Sequence, residues 1–589
     1  MKTRSQIDPK YTWDLTKLCA NDKDFFARLE KAKVYLPKFK AFEGKLNSKK
    51  TIWKYLVLDE KFSQEVEPIE MYAYLKKDEV LTDEARSEMM EKLSNFLNEL
   101  SIETAFISSE LHELSDELLD DIIKDKKFKN YDRAFQHIKE GKKHMLSKQE
   151  EKLLSGMDFL DGFSSNMNNL ADADMAFGKI EDSKGKFHAL SQSNYAKYIR
   201  SKDRTLRKNA MIRLNGEFGK HVNMLASNYI NDVKATCYFA KVRKYSSALA
   251  SALEGEEVEE GVYRTLLEMV NKNLPILFDY FKIKAKELGI NQMHIYDTGA
   301  ETSKGKSKSY TYDEAIEIIK EAVKPLGEEY VSLIQRAKDE RWIDVYPNVA
   351  KRSGAYENAI YSCDPYVLTN FEGDLDSVFT LAHELGHAMH SYYSNKTQPR
   401  EKAGYTIFLA EIASTTNEIL LINYLLGKAK SSAEKKVLYN KLFDEVKGTI
   451  FRQTMFAEFE ERVHSAHEKG EGLTKDKLCR EYYALNQKYF GHVKLIDKIK
   501  YEWARIPHFY RSFYVYKYAT GMICAIGFAN RILSGEKGAL EDYIKFLSAG
   551  ASDKPTEILK KSNCDITTQT AFESCFDYLR NIIDDWKNL

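Results

Sequence analysis

Two histidines and a glutamate stand at a spacing that can hold a metal ion and act on a water molecule. The run His383-Glu384-Leu385-Gly386-His387 fits the pattern H-E-x-x-H. Residues four apart on a helix share a face, so both imidazoles can reach one Zn²⁺ at about 2.0–2.1 Å. The glutamate between them can then address a water molecule on the same metal. The alternative is a pair of stacked surface histidines.

The sequence around this run favours a helix. Asp374 or Asp376 can cap its start. Apolar residues then recur at helical spacing, namely Val378, Leu381, Leu385 and Met389. This pattern predicts an amphipathic helix that carries the two imidazoles.

A catalytic zinc site needs a third protein ligand and one open position. His390 shares the helix face, but it lies seven residues after His383, about 10 Å along the axis. We therefore expect His390 to support a ligand or to face the substrate, with a packed core histidine as the alternative. The metzincin extension would place Gly at position 390 and His at position 393. The chain has His390 and Tyr393, which excludes that class.

The third ligand is expected on a second helix, in the run from Ile407 to Glu418. Glu411 stands there among apolar residues, where an unpaired carboxylate would be costly, and a metal ion gives a reason for it. Glu418 lies seven residues later on the same face, and it suits a partner that fixes the tautomer and orientation of a ligand histidine. The alternative is that both are ordinary helix glutamates.

Long stretches of the chain resemble a known family of zinc peptidases. These stretches are RWIDVYPNVAKRSGAYENAIYSCDPYVLTNFEGDLDSVFTLAHELGHAMHSYYS, IFLAEIASTTNEILL and IPHFYRSFYVYKYATG, with weaker ones from Tyr11 onwards. They resemble the oligoendopeptidase F branch of the thimet-oligopeptidase-like family, and the resemblance covers nearly the whole chain. It departs at Ala350, where we would expect glycine before KRSGAY.

The resemblance implies a mainly α fold, in which two helical lobes close around a deep substrate channel and a small β-sheet lies beside the metal site. It also implies one Zn²⁺ per chain, held by His383, His387 and Glu411. Glu384 would be the general base that takes a proton from a zinc-activated water as this water attacks a peptide carbonyl. The implied enzyme is a zinc metalloendopeptidase that hydrolyses internal bonds of short unstructured oligopeptides.

The oxyanion that develops in such a reaction needs hydrogen-bond donors besides the metal. The run from His508 to Tyr518 is rich in them, and in the family a histidine and tyrosines of the matching run donate to the tetrahedral intermediate. The resemblance places that histidine at His508 of this chain. Among the tyrosines we expect Tyr516 to be the donor to the oxyanion, with Tyr510 and Tyr514 as substitutes for that role. Aromatic packing on a core helix is the alternative for each tyrosine.

A substrate-binding strand is expected just before the metal-binding run. The predicted strand Tyr366 to Phe371 and the turn Gly354-Ala355-Tyr356 lie there. An exposed strand edge can pair with an extended peptide backbone, so we expect Gly354 and Tyr356 to contact the substrate. The alternative is a hairpin with a structural role only.

The composition limits the class of protein. Only 10 of 589 residues are proline, against a usual share of about 5%, and helix interiors exclude proline, so a mainly helical fold is predicted. The 89 basic and 89 acidic residues have equal and opposite total charge, which argues against a nucleic-acid partner.

No signal segment and no membrane-spanning stretch of about 20 apolar residues is visible. Seven cysteines without C-x-x-C spacing suit a reducing compartment, so a cytoplasmic protein without a membrane partner is expected.

The chain is predicted to form two lobes. Residues 1–200 would be an N-terminal helical lobe with a short β-hairpin near its end, and residues 201–589 a helical zinc-peptidase domain. The hairpin is predicted within Met175–Leu190, with its turn at Asp182–Gly185, and a small sheet within Trp342–Phe371. The predicted loops are Phe163–Met175 and Gly299–Ser309.

Two other functions remain open from the sequence. An exopeptidase would anchor a substrate terminus, and Arg352, Arg400 or Arg505 could bind its carboxylate. A peptide blocked at both ends separates the two activities, because only an endopeptidase cuts it. A helical binding or scaffold protein would hold zinc as a structural ion, usually with four protein ligands and often with cysteine. The expected partners of the chain are short peptide substrates. The sequence patterns described above do not indicate an oligomeric state.

Overall fold

The chain folds mainly into α-helices, as its low proline content predicts. A computed structural model describes residues 1–157, 160, 162–302 and 308–589. The part of the chain that is described is 71% helical with only small sheets. None of the described helices combines the length and the apolar character that crossing a bilayer requires.

The described helices are numbered in chain order. The first fifteen are α1 (Asp22–Ala32), α2 (Tyr35–Lys40), α3 (Lys49–Glu79), α4 (Glu84–Thr104), α5 (Phe106–His112), α6 (Asp116–Lys124), α7 (Asp132–Gly141), α8 (Lys148–Ser155), α9 (Gly162–Asn168), α10 (Gln192–Arg200), α11 (Arg204–Lys220), α12 (Val222–Val242), α13 (Ala248–Glu254), α14 (Glu260–Lys272) and α15 (Leu274–Leu288). The next are α16 (Tyr312–Ala322), α17 (Gly327–Asp339), α18 (Leu375–Thr397), α19 (Arg400–Ala403), α20 (Ile407–Lys428), α21 (Ser432–Val446), α22 (Arg452–Glu468), α23 (Lys475–Phe490), α24 (Tyr516–Leu533), α25 (Ala539–Leu547), α26 (Pro555–Lys561) and α27 (Gln569–Lys587).

Within the described residues, two small sheets interrupt the helices where the sequence predicts them. Strands β1 (Lys179–Glu181) and β2 (Phe187–Ala189) form an antiparallel hairpin, which confirms that prediction. Strands β3 (Ile343–Asp344), β4 (Tyr356–Asn358) and β5 (Tyr366–Leu368) form the second sheet in the order β3-β5-β4. Strand β5 is parallel to β3 and antiparallel to β4. The expectation that Tyr366–Phe371 offers a free edge is therefore wrong, because β5 is the central strand and the free edge near the turn belongs to β4.

One predicted loop is helical. Residues Phe163–Met175 were expected to be irregular because they are rich in Asn, Ser and Asp, yet α9 and a π-helical stretch at Asn169–Asp174 cover most of them. Met167 and Ala171, four residues apart, are both buried, so packing overrides the weak helix propensity of the polar residues. The other predicted loop, Gly299–Ser309, lies partly outside the described residues.

Contacts group the chain into two compact units, each assembled from three segments. Unit one comprises Met1–Lys143, Lys306–Tyr424 and Ile532–Asp553, and unit two comprises His144–Gly305, Leu425–Arg531 and Lys554–Leu589. Unit one contains α18 and the three-stranded sheet, and unit two contains the hairpin. The predicted division into 1–200 and 201–589 follows the sequence rather than these contacts, and it remains a prediction.

Buried charged groups hold the three-stranded sheet in unit one. Asp344 of β3 is 1% exposed, and it accepts a hydrogen bond from the Arg4 guanidinium at 2.9 Å. The Lys351 ammonium lies 2.7 Å from the same carboxylate and also donates to the Tyr346 carbonyl at 2.9 Å. Burial lowers the pKa of Lys351, and the Asp344 charge opposes that shift. Since each charge is paired, the segment that leads from β3 to β4 has a fixed course.

Ala350 adopts a left-handed backbone conformation, with φ of +59°. A side chain at such a φ crowds the backbone and costs about 1–2 kcal/mol, which glycine avoids. We therefore expect Ala350→Gly to raise the free energy of unfolding by about 1 kcal/mol, measured as an upward shift of the urea midpoint. Ala355→Gly is the control, because Ala355 is not among the described residues with positive φ and glycine should destabilise it. A similar shift for both variants would contradict the prediction.

Candidate metal centre and active site

Helix α18 presents two imidazoles side by side. Of the two candidate caps, Asp374 is the one at its start, where the carboxylate accepts hydrogen bonds from the Ser377 N–H at 2.8 Å and from the Ser377 hydroxyl at 2.7 Å. The predicted apolar stripe is fully buried, which fixes the rotation of the helix. As a result, His383 Nε2 and His387 Nε2 lie 3.2 Å apart. The predicted helix and its shared histidine face are confirmed.

Glu411 of α20 completes a set of three donor atoms. Its Oε2 lies 3.5 Å from His383 Nε2 and 3.8 Å from His387 Nε2. Donors about 2.0–2.1 Å from a tetrahedral zinc ion lie roughly 3.3–3.4 Å apart, so these three separations fit the ion. The Nε2 atoms and the carboxylate oxygen can all offer lone pairs to one cation. His383, His387 and Glu411 are thus positioned as a zinc site.

A close helix crossing brings the two parts of this set together. Gly386 of α18 faces the backbone of α20, and a Cβ atom built on it would lie 2.6 Å from Ser414 Cα and 2.8 Å from the Ala413 carbonyl oxygen. The Asn417 side chain donates to the Ala382 carbonyl at 3.0 Å and accepts from the Tyr330 hydroxyl at 2.9 Å. Sequence reasoning did not assign these roles. Asn417 could have been noticed, as Glu411 was, because it is a polar residue in an apolar run.

Each ligand histidine has an outer hydrogen-bond partner. His383 Nδ1 lies 3.4 Å from Glu418 Oε1, and the His387 ring bonds the Ala410 carbonyl. Such partners fix the ring orientation and leave the other nitrogen free for a metal. Burial lowers the pKa of His383, but the hydrogen bond and charge of Glu418 outweigh it and bring that pKa to about 9. Burial and the neighbouring His383 lower the pKa of His387 to about 3.

Glu384 lies beside the donor set without joining it. The three converging donor atoms come from the other residues, and Glu384 is 7% exposed. Burial raises the pKa of Glu384 to about 7; the His383 charge opposes that shift, whereas the charge of Glu411 adds to it. The arrangement therefore provides a metal site with a separate carboxyl group next to it.

His390 is placed in the core instead of facing a substrate. It is 1% exposed, and its ring stacks on Tyr405 with centroids 3.7 Å apart. Phe546 packs on it at 5.0 Å, and burial lowers the pKa of His390 to about 3. The expectation that His390 faces the substrate does not fit this placement, because the turn of α18 that carries it is covered by these aromatic rings.

The predicted substrate-binding turn lies at the start of β4. Gly354 has φ of +83°, and its carbonyl accepts a hydrogen bond from Asn370 Nδ2 at 2.8 Å. The Tyr356 hydroxyl donates to Asp78 Oδ2 at 2.7 Å, so this side chain is tied to α3. Contact of Gly354 and Tyr356 with a substrate remains a prediction, which concerns their backbone more than their side chains.

The predicted oxyanion donors belong to unit two. His508 and Tyr510 lie on a 3₁₀ helix, Pro507–Tyr510, and Tyr516 is the first residue of α24. Tyr516 is 1% exposed and packs edge-on against Tyr263, with ring centroids 5.4 Å apart. His508, Tyr510 and Tyr514 are only half-buried. The roles of all four residues remain predictions.

The remaining contacts of this run are local to unit two. Asn228 donates to the Tyr510 hydroxyl at 3.0 Å, and burial raises the pKa of Tyr510 to about 12. The Tyr514 ring meets Tyr518 edge-on at 5.5 Å. Burial and the charge of Arg511 lower the pKa of His508.

Two residues of α22 hold the bend within this run, and sequence reasoning missed both. Phe513 has a left-handed φ of +58°, and its N–H donates to Glu460 Oε1 at 3.0 Å. One turn later, His464 Nε2 lies 3.3 Å from the Ser512 hydroxyl. These contacts stabilise a conformation that a phenylalanine would otherwise avoid.

Comparisons with known proteins identify the family of this chain. The family pattern described as Peptidase family M3 matches residues 197–578, and the one described as Oligopeptidase F matches residues 110–177. Oligopeptidase PepF of Bacillus subtilis (strain 168) is 35% identical over 100% of this chain and 88% of its own length. Group B oligopeptidase PepB of Streptococcus agalactiae serotype III (strain NEM316) is 36% identical over 100% of this chain and 98% of its own length. The crystal structure of oligoendopeptidase-F from Enterococcus faecium, 32% identical, has a TM-score of 0.73 and covers 96% of this chain and 99% of that chain. The chain therefore belongs to peptidase family M3, within its oligoendopeptidase F group.

Proposed function

We propose that this chain is a zinc-dependent endopeptidase that hydrolyses internal peptide bonds of short, unstructured oligopeptides. Membership of the family makes it a metallopeptidase of oligopeptides. The observation that supports the finer statement is the set His383, His387 and Glu411, with the Glu384 carboxyl beside it. Three protein ligands leave a fourth position of a tetrahedral ion open, as catalytic sites require.

The chain's own residues would share the chemistry as follows. A zinc ion held by the three ligands would supply Lewis acidity, which activates a water molecule and polarises the scissile carbonyl. Glu384 accepts the proton of the attacking water and then delivers it to the leaving amine. Glu418 holds the ring of His383 through Nδ1 and so keeps its other nitrogen directed at the metal position.

Donors to the developing oxyanion are proposed in the run from His508 to Tyr516. A lost oxyanion donor typically costs about 10²–10³-fold in kcat. His508 and Tyr514 are half-buried, whereas Tyr516 is 1% exposed and packs on Tyr263. Within this proposal Tyr514 is therefore the better supported tyrosine, with Tyr510 as the next candidate.

The substrate is proposed to lie along β4. Among the described strands it pairs with β5 alone, so its outer edge has backbone groups that an extended peptide can pair with. Main-chain pairing needs an unfolded substrate and gives affinity with little selectivity. This fits a peptidase of short unstructured peptides.

Two observations weigh against the alternative functions. The three arginines that could anchor a terminal carboxylate already have carboxylate partners: Arg352 pairs with Asp78, Arg400 with Glu67 and Arg505 with Glu502. The binding or scaffold function expects a closed structural zinc site, usually with four ligands, and the metal set found among the described residues has three, without cysteine. All seven cysteines are free thiols, which supports a reducing compartment such as the cytoplasm as the proposed location.

The proposal is tested with an internally quenched peptide of about ten residues that is blocked at both ends. We expect cleavage at an internal bond, loss of cleavage after a zinc chelator, and recovery when zinc is restored. Mass spectrometry of the products locates the bond. Failure to cut this peptide, with release of dipeptides from its unblocked form, would replace the proposal by the exopeptidase function. Zinc binding without any cleavage would support the binding function.

A further inference from the structure

Glu357 is an ionisable residue at the centre of a strand edge that no described strand covers. It is the middle residue of β4, opposite Val367 of β5. Successive side chains of a strand point to opposite faces, and the neighbouring Tyr356 is directed towards α3, where it bonds Asp78. The Glu357 side chain therefore projects from the other face of the sheet.

On that face the carboxyl group meets α18 near the candidate active site. Ser391 hydrogen-bonds the Glu357 carboxyl, and the charge of Glu384 acts on it. The Ser391 hydroxyl also lies 2.8 Å from the Tyr405 hydroxyl. Glu357 is therefore a second carboxyl group on the side of α18 that carries the candidate base.

The Glu357 carboxyl lacks a cationic partner in the described part of the chain. Its Oε1 is buried and accepts no hydrogen bond from any described residue, and no basic side chain is among the groups that act on it. Burial raises the pKa of Glu357 to about 8; the Ser391 hydrogen bond opposes that shift, and the charge of Glu384 adds to it. Without a counter-charge the ionised form of this buried carboxyl is costly, and a cationic ligand at Oε1 would supply the missing charge.

We propose that Glu357 is a specificity residue that binds a cationic group of the peptide substrate close to the bond that is cut. The group is a lysine or arginine side chain, or a free α-amino group. This proposal rests on the proposed function, in which the peptide pairs with the edge of β4. In such an added strand, the substrate residue directly opposite Glu357 has its side chain on the same face, with Cβ atoms about 4.5–5.5 Å apart. An ammonium or guanidinium group there donates to the unused Oε1 and supplies the missing counter-charge.

The test is a charge scan of the blocked, internally quenched peptide. Each position on either side of the cut bond carries lysine in one peptide and norleucine, which has a similar length and no charge, in its partner peptide. The readout is the ratio of kcat/KM for the two. Two further peptides begin at the selected position, one with a free α-amino group and one acetylated, and they separate a side-chain cation from a terminal one.

Wild type is expected to prefer lysine by about tenfold or more at one position, and Glu357→Gln should bring that ratio close to one. Glu372→Gln, which removes an exposed carboxyl just after β5, should keep the wild-type ratio. Glu357→Lys should reverse the charge preference at that position, so that a peptide with glutamate there has a higher kcat/KM than its partner peptide with glutamine. Metal content and thermal unfolding verify that each variant is folded. A preference for the free over the acetylated amino terminus alone would identify the terminus as the cation.

Three results would overturn the proposal. A ratio near one at every position in wild type, with no preference for a free terminus, removes the cation site. So does a lysine preference that persists unchanged in Glu357→Gln. Cleavage of the norleucine peptides in either case leaves the endopeptidase function intact. If wild type cuts none of the peptides, the proposed function fails, and the role of Glu357 fails with it.

Discussion

Glu384→Gln is expected to lower kcat for the blocked peptide by roughly 10²–10⁴-fold while zinc stays bound. The amide is similar in size to the carboxyl, but it cannot accept the proton of the attacking water. Zinc is retained because the three converging donor atoms come from His383, His387 and Glu411. The two measurements are kcat from the fluorescence assay and metal content by elemental analysis of the same protein sample.

Glu372→Gln provides the matched control for this variant, because it makes the same chemical change at an exposed position. It should retain both activity and zinc. A Glu384→Gln protein that keeps more than about a tenth of the wild-type kcat would show that Glu384 is not the general base, since the loss would lie below the usual range for such a group. Loss of zinc from this variant would instead show that Glu384 helps to hold the metal.

The parts of the site that the sequence predicts are those set by spacing along one helix. The spacing of His383 and His387 predicted a shared face, and the candidate caps Asp374 and Asp376 with the apolar stripe predicted the helix around them. Glu411 was predicted as a ligand because a carboxylate in an apolar run needs a partner. The inferences about α18 depend on local periodicity, which an α-helix obeys closely, and the inference about Glu411 depends on its immediate apolar neighbours.

The parts that the sequence does not predict depend on contacts between distant segments. The position of β5 between β3 and β4 follows from strand pairing, which alternation within one strand cannot reveal. His390 has the same periodicity as a residue on the ligand face, but Phe546, 156 positions later, covers it. The residue Glu357 gave no signal at all, because an isolated glutamate in a short strand resembles any exposed one.

Gly386→Ala is expected to lower kcat/KM by about 10²-fold and to destabilise unit one by about 1–3 kcal/mol. The new Cβ would lie 2.6 Å from Ser414 Cα and 2.8 Å from the Ala413 carbonyl oxygen. Both are backbone atoms, so no side chain can turn away to make room. Helices α18 and α20 must then separate, and Glu411 moves away from the two histidines with them. We expect weaker zinc binding in a competition assay with a chelating dye, together with a lower midpoint of thermal unfolding.

Gly427→Ala separates this effect from the general consequence of replacing a helical glycine. Gly427 lies on α20, and nothing lies within 4 Å of a Cβ atom built there. Alanine at such a position should stabilise the helix by roughly 0.5–1 kcal/mol and leave zinc affinity unchanged. If Gly386→Ala behaved in the same way, the close crossing would not determine the metal site. A fall in both zinc affinity and stability for Gly386→Ala alone would show that the separation of α18 and α20 sets the distance between Glu411 and the histidine pair.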